Sequence, residues 1–303
     1  MTESQNPQLV QTSGLGKRYG SITAVQDLTI SVRRGEVYGF LGPNGAGKTT
    51  TLRMLLGLIR PSSGTATVLG EEPGSPRGLQ GVGALVESPA FYPYLSGRDN
   101  LRAMARYCEA PQQRVEEVLE QVELTGRARD KFKKYSLGMK QRLGVAAALL
   151  KDPELLNLDE PTNGLDPKGM ADMRAIIRRI GRGERTVLLS SHLLGEVEQV
   201  CDRVGVIQRG ELVVEGTVEE LRSSGGILVK AEPLDRAREV AAGLDGVKGA
   251  EIEDGMLVLD ADPGRAAEVN AGLVSAGLRV SELRPVERSL EEAFLELTRG
   301  GTI

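Results

Sequence analysis

The chain has 303 residues, 40% of them hydrophobic, and its formal net charge at pH 7 is −4. This length is enough for two domains that each bury a hydrophobic core. With four Phe, six Tyr and no Trp, few aromatic rings are available to stack on single-stranded nucleic acid. There is also no basic excess that could follow a phosphate backbone. We therefore expect no nucleic-acid partner.

The cysteine and histidine content argues against a zinc site. Cys108 and Cys201 are far apart in the sequence, and His192 is the only histidine, so no metal-ligand spacing results. Ordinary thiols fit a reducing cytosol, and the polar start of the sequence predicts no signal peptide. No apolar run approaches the roughly 20 residues that span a bilayer. Any membrane role is therefore expected to depend on a partner.

Residues 1–224 alternate predicted strands with predicted helices. The strands are predicted over Leu28–Val32, Val37–Leu41, Thr65–Leu69, Val82–Val86, Leu155–Leu158, Thr186–Ser190 and Val204–Gln208. The helices are predicted after Gly47, Gly97, Pro111, Ser136, Pro167 and His192. This alternation is typical of a layered α/β domain with a largely parallel sheet. Residues 97–150, without a strong strand candidate, are predicted to form an inserted helical subdomain.

A domain boundary is predicted near residue 224, where "LRSSGGILV" combines a helix end, a flexible Ser/Gly stretch and a strand. Residues 225–303 are predicted to form a small α+β domain with the ferredoxin-like order β-α-β-β-α-β. Its strands are predicted over Ile227–Glu232, Lys248–Ile252, Met256–Leu259 and Leu278–Leu283, and its helices near 234–243 and 264–275. A last helix is predicted at "SLEEAFLEL", where Ser289 and Glu292 have capping-box spacing.

The strongest functional signal is "GPNGAGKT", Gly42–Thr49, between a predicted strand and a predicted helix. It has the G-x-x-x-x-G-K-[ST] spacing of a phosphate-binding loop. Backbone N–H groups are expected to surround phosphate oxygens, while Lys48 reaches the β- and γ-phosphates and Thr49 supplies an oxygen to Mg²⁺. A glycine-rich turn that only caps a helix is the alternative, which the flanking strand disfavours. The predicted nucleotide-binding residues here are Asn44, Gly45, Ala46, Gly47, Lys48, Thr49 and Thr50.

A pair of carboxylates ends the short apolar strand in "PELLNLDEPT". Parallel α/β sheets bind ligands at the carboxyl ends of their strands. We expect Asp159 to hold the Mg²⁺ shell and Glu160 to orient and polarise the attacking water. A solvated strand end is the alternative reading of such a pair, and the phosphate loop upstream disfavours it.

Further segments give the sequence its resemblance to the ATP-binding subunits of ABC transporters. "KRYG" (17–20) resembles the adenine-stacking segment and "YSLGMKQR" (135–142) the signature loop. "NGLD" (163–166) resembles the D-loop and "SSHLL" (190–194) the switch-histidine segment. With the phosphate loop and the acidic pair, these motifs stand in the family's order. "SLEEAFLELT" also resembles endings in the drug- and peptide-export subfamily.

The resemblance implies a role for each matched residue. Tyr19 would stack on adenine. Two subunits would pair head to tail, so that Ser136 and the Gly138 N–H of one contact the γ-phosphate held by the other, with Asp166 near this interface. Without the other motifs, Ser136 would read as an ordinary helix N-cap. His192, otherwise a candidate core residue, would donate a ring N–H to the γ-phosphate and hold the geometry of Glu160 and the water.

The sequence departs from the family pattern at two places. Leu137 and Met139 replace the first glycine and the glutamine of the signature loop. Glu87 stands where the family usually has a glutamine that senses Mg²⁺ and links to the permease. A carboxylate keeps an oxygen ligand but loses the amide donor. Glu87 is thus predicted as an Mg²⁺-shell ligand, and a surface glutamate is the alternative.

The resemblance implies a Mg²⁺-dependent ATPase subunit, a homodimer that powers a separately encoded membrane permease from the cytoplasmic face of the membrane. Export of drugs, peptides or other small molecules follows from the subfamily resemblance. An ATPase acting on ribosomes usually carries two such units in one chain, and chromosome-maintenance ATPases need a long coiled coil, for which no sustained heptads are found. A non-catalytic regulatory module is disfavoured by the complete catalytic set.

Overall fold

The computed structural model describes residues 7–183, 185–222 and 226–286. The chain divides into two compact units, Met1–Glu215 and Gly216–Ile303. Within the described residues, no helix is both long and apolar enough to cross a membrane.

The centre of the first unit is a six-stranded sheet. Its strands are β4 (Val37–Leu41), β6 (Val82–Leu85), β7 (Leu155–Asp159), β8 (Thr186–Ser191), β9 (Arg203–Gln208) and β10 (Glu211–Thr217), in the order β10-β9-β4-β8-β7-β6. The pairs from β9 to β6 are parallel. Strands β4, β7 and β8 are buried at every position, as expected for a parallel sheet that is covered on both faces. The prediction of a largely parallel α/β sheet is confirmed.

A second, antiparallel sheet packs in the same unit. It contains β1 (Gln8–Tyr19), β2 (Ile22–Leu28), β3 (Ser31–Arg33) and β5 (Ser63–Val68), and β1 pairs with the other three. The predicted single strand Leu28–Val32 is wrong, because the chain leaves β2 at Leu28 and enters β3 at Ser31. The Thr12 hydroxyl bridges this break, donating to the Leu28 carbonyl at 2.8 Å and accepting from the Ile30 N–H at 2.9 Å.

Helices cover the sheets of the first unit. They are α1 (Lys48–Leu55), α2 (Pro76–Gln80), α3 (Gly97–Tyr107), α4 (Arg114–Gln121), α5 (Leu137–Ala148), α6 (Pro167–Ile180) and α7 (Leu194–Val200). Helices α3, α4 and α5 pack on one another within residues 97–150, as the predicted helical subdomain requires. Ser96, Ser136 and Asp166 each cap the helix that follows with a side-chain oxygen.

The second unit has its own sheet and core. After the short helix α8 (Val218–Arg222) come β11 (Gly226–Glu232), α9 (Leu234–Ala242), β12 (Val247–Glu253), β13 (Met256–Ala261), α10 (Ala266–Ser275) and β14 (Arg279–Val286). The strand order is β12-β13-β11-β14, and all the pairs are antiparallel. This is the predicted ferredoxin-like arrangement. The helix predicted at Ser289 and Glu292 lies outside the described residues.

Candidate nucleotide site

The phosphate loop connects β4 to α1 at the carboxyl edge of the parallel sheet. Two of its glycines are required by close packing, since a Cβ on Gly42 would lie 2.2 Å from the Ile207 carbonyl oxygen and one on Gly47, where φ is 105°, 2.4 Å from that of Ala24. No side chain caps the N-terminus of α1, and its first turn contains no acidic residue. The exposed Asn44 and Gly45 leave room in front of these amides. The loop therefore fits an anionic phosphate.

Lys48 is the buried cation of this loop, with 5% exposure. Its Nζ donates to the carbonyl oxygens of Gly42 at 2.7 Å and Pro43 at 3.2 Å. The same nitrogen lies 3.1 Å from Glu160 Oε1. Lys48 and the predicted base are therefore direct neighbours, although they are far apart in sequence.

Asp159 ends β7 with both carboxylate oxygens hydrogen-bonded. Oδ2 accepts from the Thr49 hydroxyl at 2.9 Å and Oδ1 accepts from the Ser190 hydroxyl at 2.6 Å. The two oxygen ligands predicted for Mg²⁺, from Thr49 and Asp159, are thus adjacent. Hydroxyl and carboxylate oxygens are the donor types that Mg²⁺ prefers, so this pair fits the ion.

Glu160 lies between Lys48 and His192. Its Oε2 is 2.7 Å from His192 Nδ1, and its backbone has φ 48°, a left-handed conformation that is strained for a residue with a side chain. A carboxylate only accepts hydrogen bonds, so Nδ1 carries the proton in this contact. Nε2 of a neutral ring then has a lone pair, and donation from Nε2 to a phosphate requires a protonated ring. The predicted donation of a ring N–H from His192 to the γ-phosphate therefore needs a protonated ring or a change of partner at Nδ1, and this role stays a prediction.

Glu87 follows β6 and points to a different partner. Its carboxylate is ion-paired with Arg53, in the last turn of α1, and its side chain is 60% exposed. Its φ of 64° is also left-handed. Among the described residues, no hydrogen bond joins Glu87 to Thr49 or Asp159. The proposed role of Glu87 in the Mg²⁺ shell stays a prediction that requires release from Arg53.

The residues predicted to act across a dimer lie apart from the phosphate loop. Ser136, Gly138 and Asp166 line one depression together with Leu137 and Gly164. The Ser136 hydroxyl accepts from the Met139 N–H at 3.3 Å, and Asp166 accepts from the Gly169 N–H at 3.0 Å. No residue of the phosphate loop lines this depression.

Tyr19 stands at the end of β1 and is 46% exposed, with Lys17 Nζ 5.0 Å from its ring centre. An exposed ring beside a cation is free on one face to stack on a planar base. The geometry is compatible with the predicted contact to adenine.

Sequence reasoning assigned no role to Ser190 and Arg53. Ser190 is fully buried in β8, and its hydroxyl contacts both Asp159 and the Glu160 N–H. The available signal was the pair of hydroxyl residues that ends the strand "TVLLSS", directly before His192. Arg53 was hidden in the apolar helix "TLRMLL", and only the fold brings it to Glu87.

Comparison with known proteins agrees with this site. The family model described as ABC transporter matches residues 25–163. The uncharacterized ABC transporter ATP-binding protein YdbJ of Bacillus subtilis (strain 168) is 40% identical over 96% of this chain and 95% of its own length. The bacitracin transport ATP-binding protein BcrA of Bacillus licheniformis is 40% identical over 97% and 99%. A solved ATP-binding subunit of an ABC transporter has a TM-score of 0.62 at 28% identity, covering 71% of this chain and 92% of that one.

The fold and the phosphate loop define a P-loop ATPase of the ABC type. The chain belongs to the family of ABC transporter ATP-binding proteins. It is an ATP-binding, ATP-hydrolysing subunit of an ABC transporter, as the resemblance of its motifs implied.

Proposed function

We propose that this chain powers an exporter of drugs, peptides or other small molecules. The chain resembles a bacitracin transport protein along nearly its whole length. The permease would be a separately encoded membrane protein, and the chain would bind it at the cytoplasmic face of the membrane. Tyr92 and Tyr94, which are 56% and 63% exposed, are candidates for this contact because aromatic residues are enriched in interfaces.

We further propose a division of labour between residues 1–224, the ATPase domain, and residues 225–303, an accessory domain. Two copies of the chain would form a head-to-tail homodimer. Each ATP would lie between one phosphate loop and the depression around Ser136, Gly138 and Asp166 of the other copy. This arrangement is supported by the separate placement of the two groups, since no residue of the phosphate loop lines the depression around Ser136.

The proposed chemistry follows from the contacts of the site. Thr49 and Asp159 would hold Mg²⁺, which supplies charge neutralisation to the phosphates when bound. Lys48 would exchange the Gly42 and Pro43 carbonyls for phosphate oxygens. Glu160 would keep its contact with His192 and would accept a hydrogen bond from the attacking water. The single observation that carries the proposal is the Lys48–Glu160–His192 contact at the end of the phosphate loop.

Glu160→Gln tests this assignment. The amide retains the shape of the side chain but is a poor base, so we expect ATP binding to persist and ATP hydrolysis to fall by at least about 100-fold. The variant should accumulate as an ATP-bound dimer, measured by size-exclusion chromatography with light scattering. Lys48→Ala is the control, which should neither bind ATP tightly nor dimerise. ATP hydrolysis by Glu160→Gln at the rate of the parent chain would contradict the role proposed for Glu160.

A further inference from the structure

We infer that Ser190 is a positioning residue for ATP hydrolysis, one that sets the geometry of both carboxylates of the site. The inference rests on the proposed roles of Asp159 and Glu160. Strands β7 and β8 are paired in parallel register, with Asp159 opposite Ser190. The two side chains therefore lie side by side at the carboxyl edge of the sheet. Ser190 is fully buried, and Asp159 is 5% exposed.

The directions of the two Ser190 hydrogen bonds follow from their chemistry. The backbone N–H of Glu160 lies 3.0 Å from Ser190 Oγ, and an N–H can only donate, so the serine oxygen accepts there. The single hydroxyl proton is then available to Asp159 Oδ1, 2.6 Å away. A hydroxyl has one proton and two lone pairs, so both bonds are made at once. The chain of donors runs from the Glu160 amide through Ser190 to Asp159.

This chain of hydrogen bonds fixes two orientations. On Asp159, a bond to Oδ1 from Ser190 leaves Oδ2 facing the Thr49 hydroxyl. On Glu160, an acceptor for the amide stabilises the backbone at φ 48°, and its carboxylate then lies between Lys48 and His192. One buried hydroxyl thus couples the group predicted to hold Mg²⁺ to the group predicted to orient the water.

The neighbouring serine does not duplicate this role. Ser191 Oγ accepts from the Leu193 N–H at 3.0 Å, and among the described residues it has no hydrogen bond to either carboxylate. An alanine at position 190 would leave the Glu160 amide and Asp159 Oδ1 without these partners. The substitution would disturb the positions of Asp159 and Glu160 and not a contact with the nucleotide, since no atom of Ser190 need touch the nucleotide.

The test compares Ser190→Ala with a matched variant on the same strand, Thr186→Val. Thr186 is also fully buried, and its hydroxyl accepts from the Gly35 N–H at 2.8 Å, at the opposite end of β8 from Ser190. Both variants lose a buried hydroxyl that bonds a backbone amide. We expect Ser190→Ala to lower kcat about 10- to 100-fold while KM for ATP stays within about threefold. Thr186→Val should retain the kcat of the parent chain, normalised to the folded fraction.

Two further measurements separate positioning from folding. Ser190→Ala should accumulate the ATP-bound dimer in the same chromatographic assay, because it binds ATP and hydrolyses it slowly. Ser190→Thr, which keeps the hydroxyl, should recover at least about half of the parent kcat. Equal losses of kcat in Ser190→Ala and Thr186→Val, or parent-like kcat in Ser190→Ala, would overturn the inference. If Glu160→Gln traps the dimer while Ser190→Ala turns over normally, the Ser190 inference alone fails.

Discussion

At the scale of single residues, the arrangement of Glu160 shows how this site holds the carboxylate that we propose as the base. Its backbone is left-handed and donates its N–H to the Ser190 hydroxyl. Its carboxylate contacts Lys48 and His192. A non-glycine residue keeps a strained backbone conformation only where several surrounding contacts hold it in place. We interpret this strain as the means of turning the carboxylate out of the plane of β7 and into the site.

His192→Ala is predicted to slow hydrolysis without weakening ATP binding. The imidazole contacts Glu160 Oε2 and is 28% exposed, so its loss frees the carboxylate on one side. We expect kcat to fall about 10- to 100-fold and the Kd for ATP to stay within about threefold. Steady-state ATPase rates and equilibrium dialysis measure the two quantities. A large loss of ATP affinity with unchanged kcat would contradict the role given to His192.

At the scale of elements, a cluster of charged residues joins β4, β9 and β10 at the end of the sheet opposite the phosphate loop. Arg203 on β9 lies 3.0 Å from Glu36, next to β4, and 2.9 Å from Glu215 on β10. The Tyr38 hydroxyl on β4 donates to Glu215 at 2.9 Å. Burial raises the pKa of Glu36 and, together with Glu215, raises the pKa of Tyr38 well above its usual range. Arg203 is the cation that offsets the burial of Glu36 and also pairs with the half-buried Glu215.

Arg203→Ala is therefore predicted to destabilise the fold by about 3–5 kcal/mol, since buried carboxylates lose their cation. Glu36 already has a raised pKa in the folded chain, and removing Arg203 raises it further. A raised carboxyl pKa means that the folded state favours the protonated form, so this group opposes folding increasingly as pH rises through that pKa. The loss of stability should thus be larger at pH 8 than at pH 5, measured by urea unfolding.

The matched control for this prediction is Arg279→Ala. Arg279 pairs with Glu232 in a bridge whose side chains are 85% and 71% exposed, and such a surface pair is worth about 1 kcal/mol or less. A loss of that small size in Arg203→Ala, or a loss independent of pH, would show that the buried cluster contributes little.

At the scale of the whole molecule, two separate hydrophobic cores distinguish the units. The first includes Tyr38, Phe40 and Leu52 around the phosphate-loop helix, and the second includes Ile227 and Leu259 of the ferredoxin-like sheet. The nucleotide site draws all its described residues from the first unit. ATP should therefore stabilise one core directly and leave the other to its own packing.

Calorimetry of the intact chain tests this expectation. ATP at 100 times its Kd should stabilise the first unit by about 2.7 kcal/mol and raise its unfolding transition. Leu259→Ala, at a fully buried position, should cost the second unit about 2–5 kcal/mol and lower a separate transition. Lys48→Ala, which is expected to lose its contact with the phosphates, serves as the control and should show no ATP-dependent shift. An equal response of both transitions to ATP would contradict separate cores.

Local patterns explain why much of this protein can be predicted from sequence. The phosphate loop is contiguous, and the strands β4, β7 and β8 are buried at every position and carry short apolar runs. By contrast, β1 reads "QLVQTSGLGKRY", in which Gly and polar residues obscure the alternation, so the strand with which the other three of the antiparallel sheet pair was not predicted. β10 was missed as well, although it follows β9 after a two-residue turn at Arg209 and Gly210. Helices α2 and α8, with five residues each, are too short to show a period.

The sequence by itself determined the parts of the site that are local: the amides around Lys48, the carboxylate pair of Asp159 and Glu160, and the position of His192 after a strand. Tertiary structure decided which side chains meet. Strand register places Ser190 against Asp159, and the path of α1 brings Arg53 to Glu87. Spacing along the chain encodes what the backbone of one loop can bind, whereas contacts between distant residues depend on how the sheet aligns its strands.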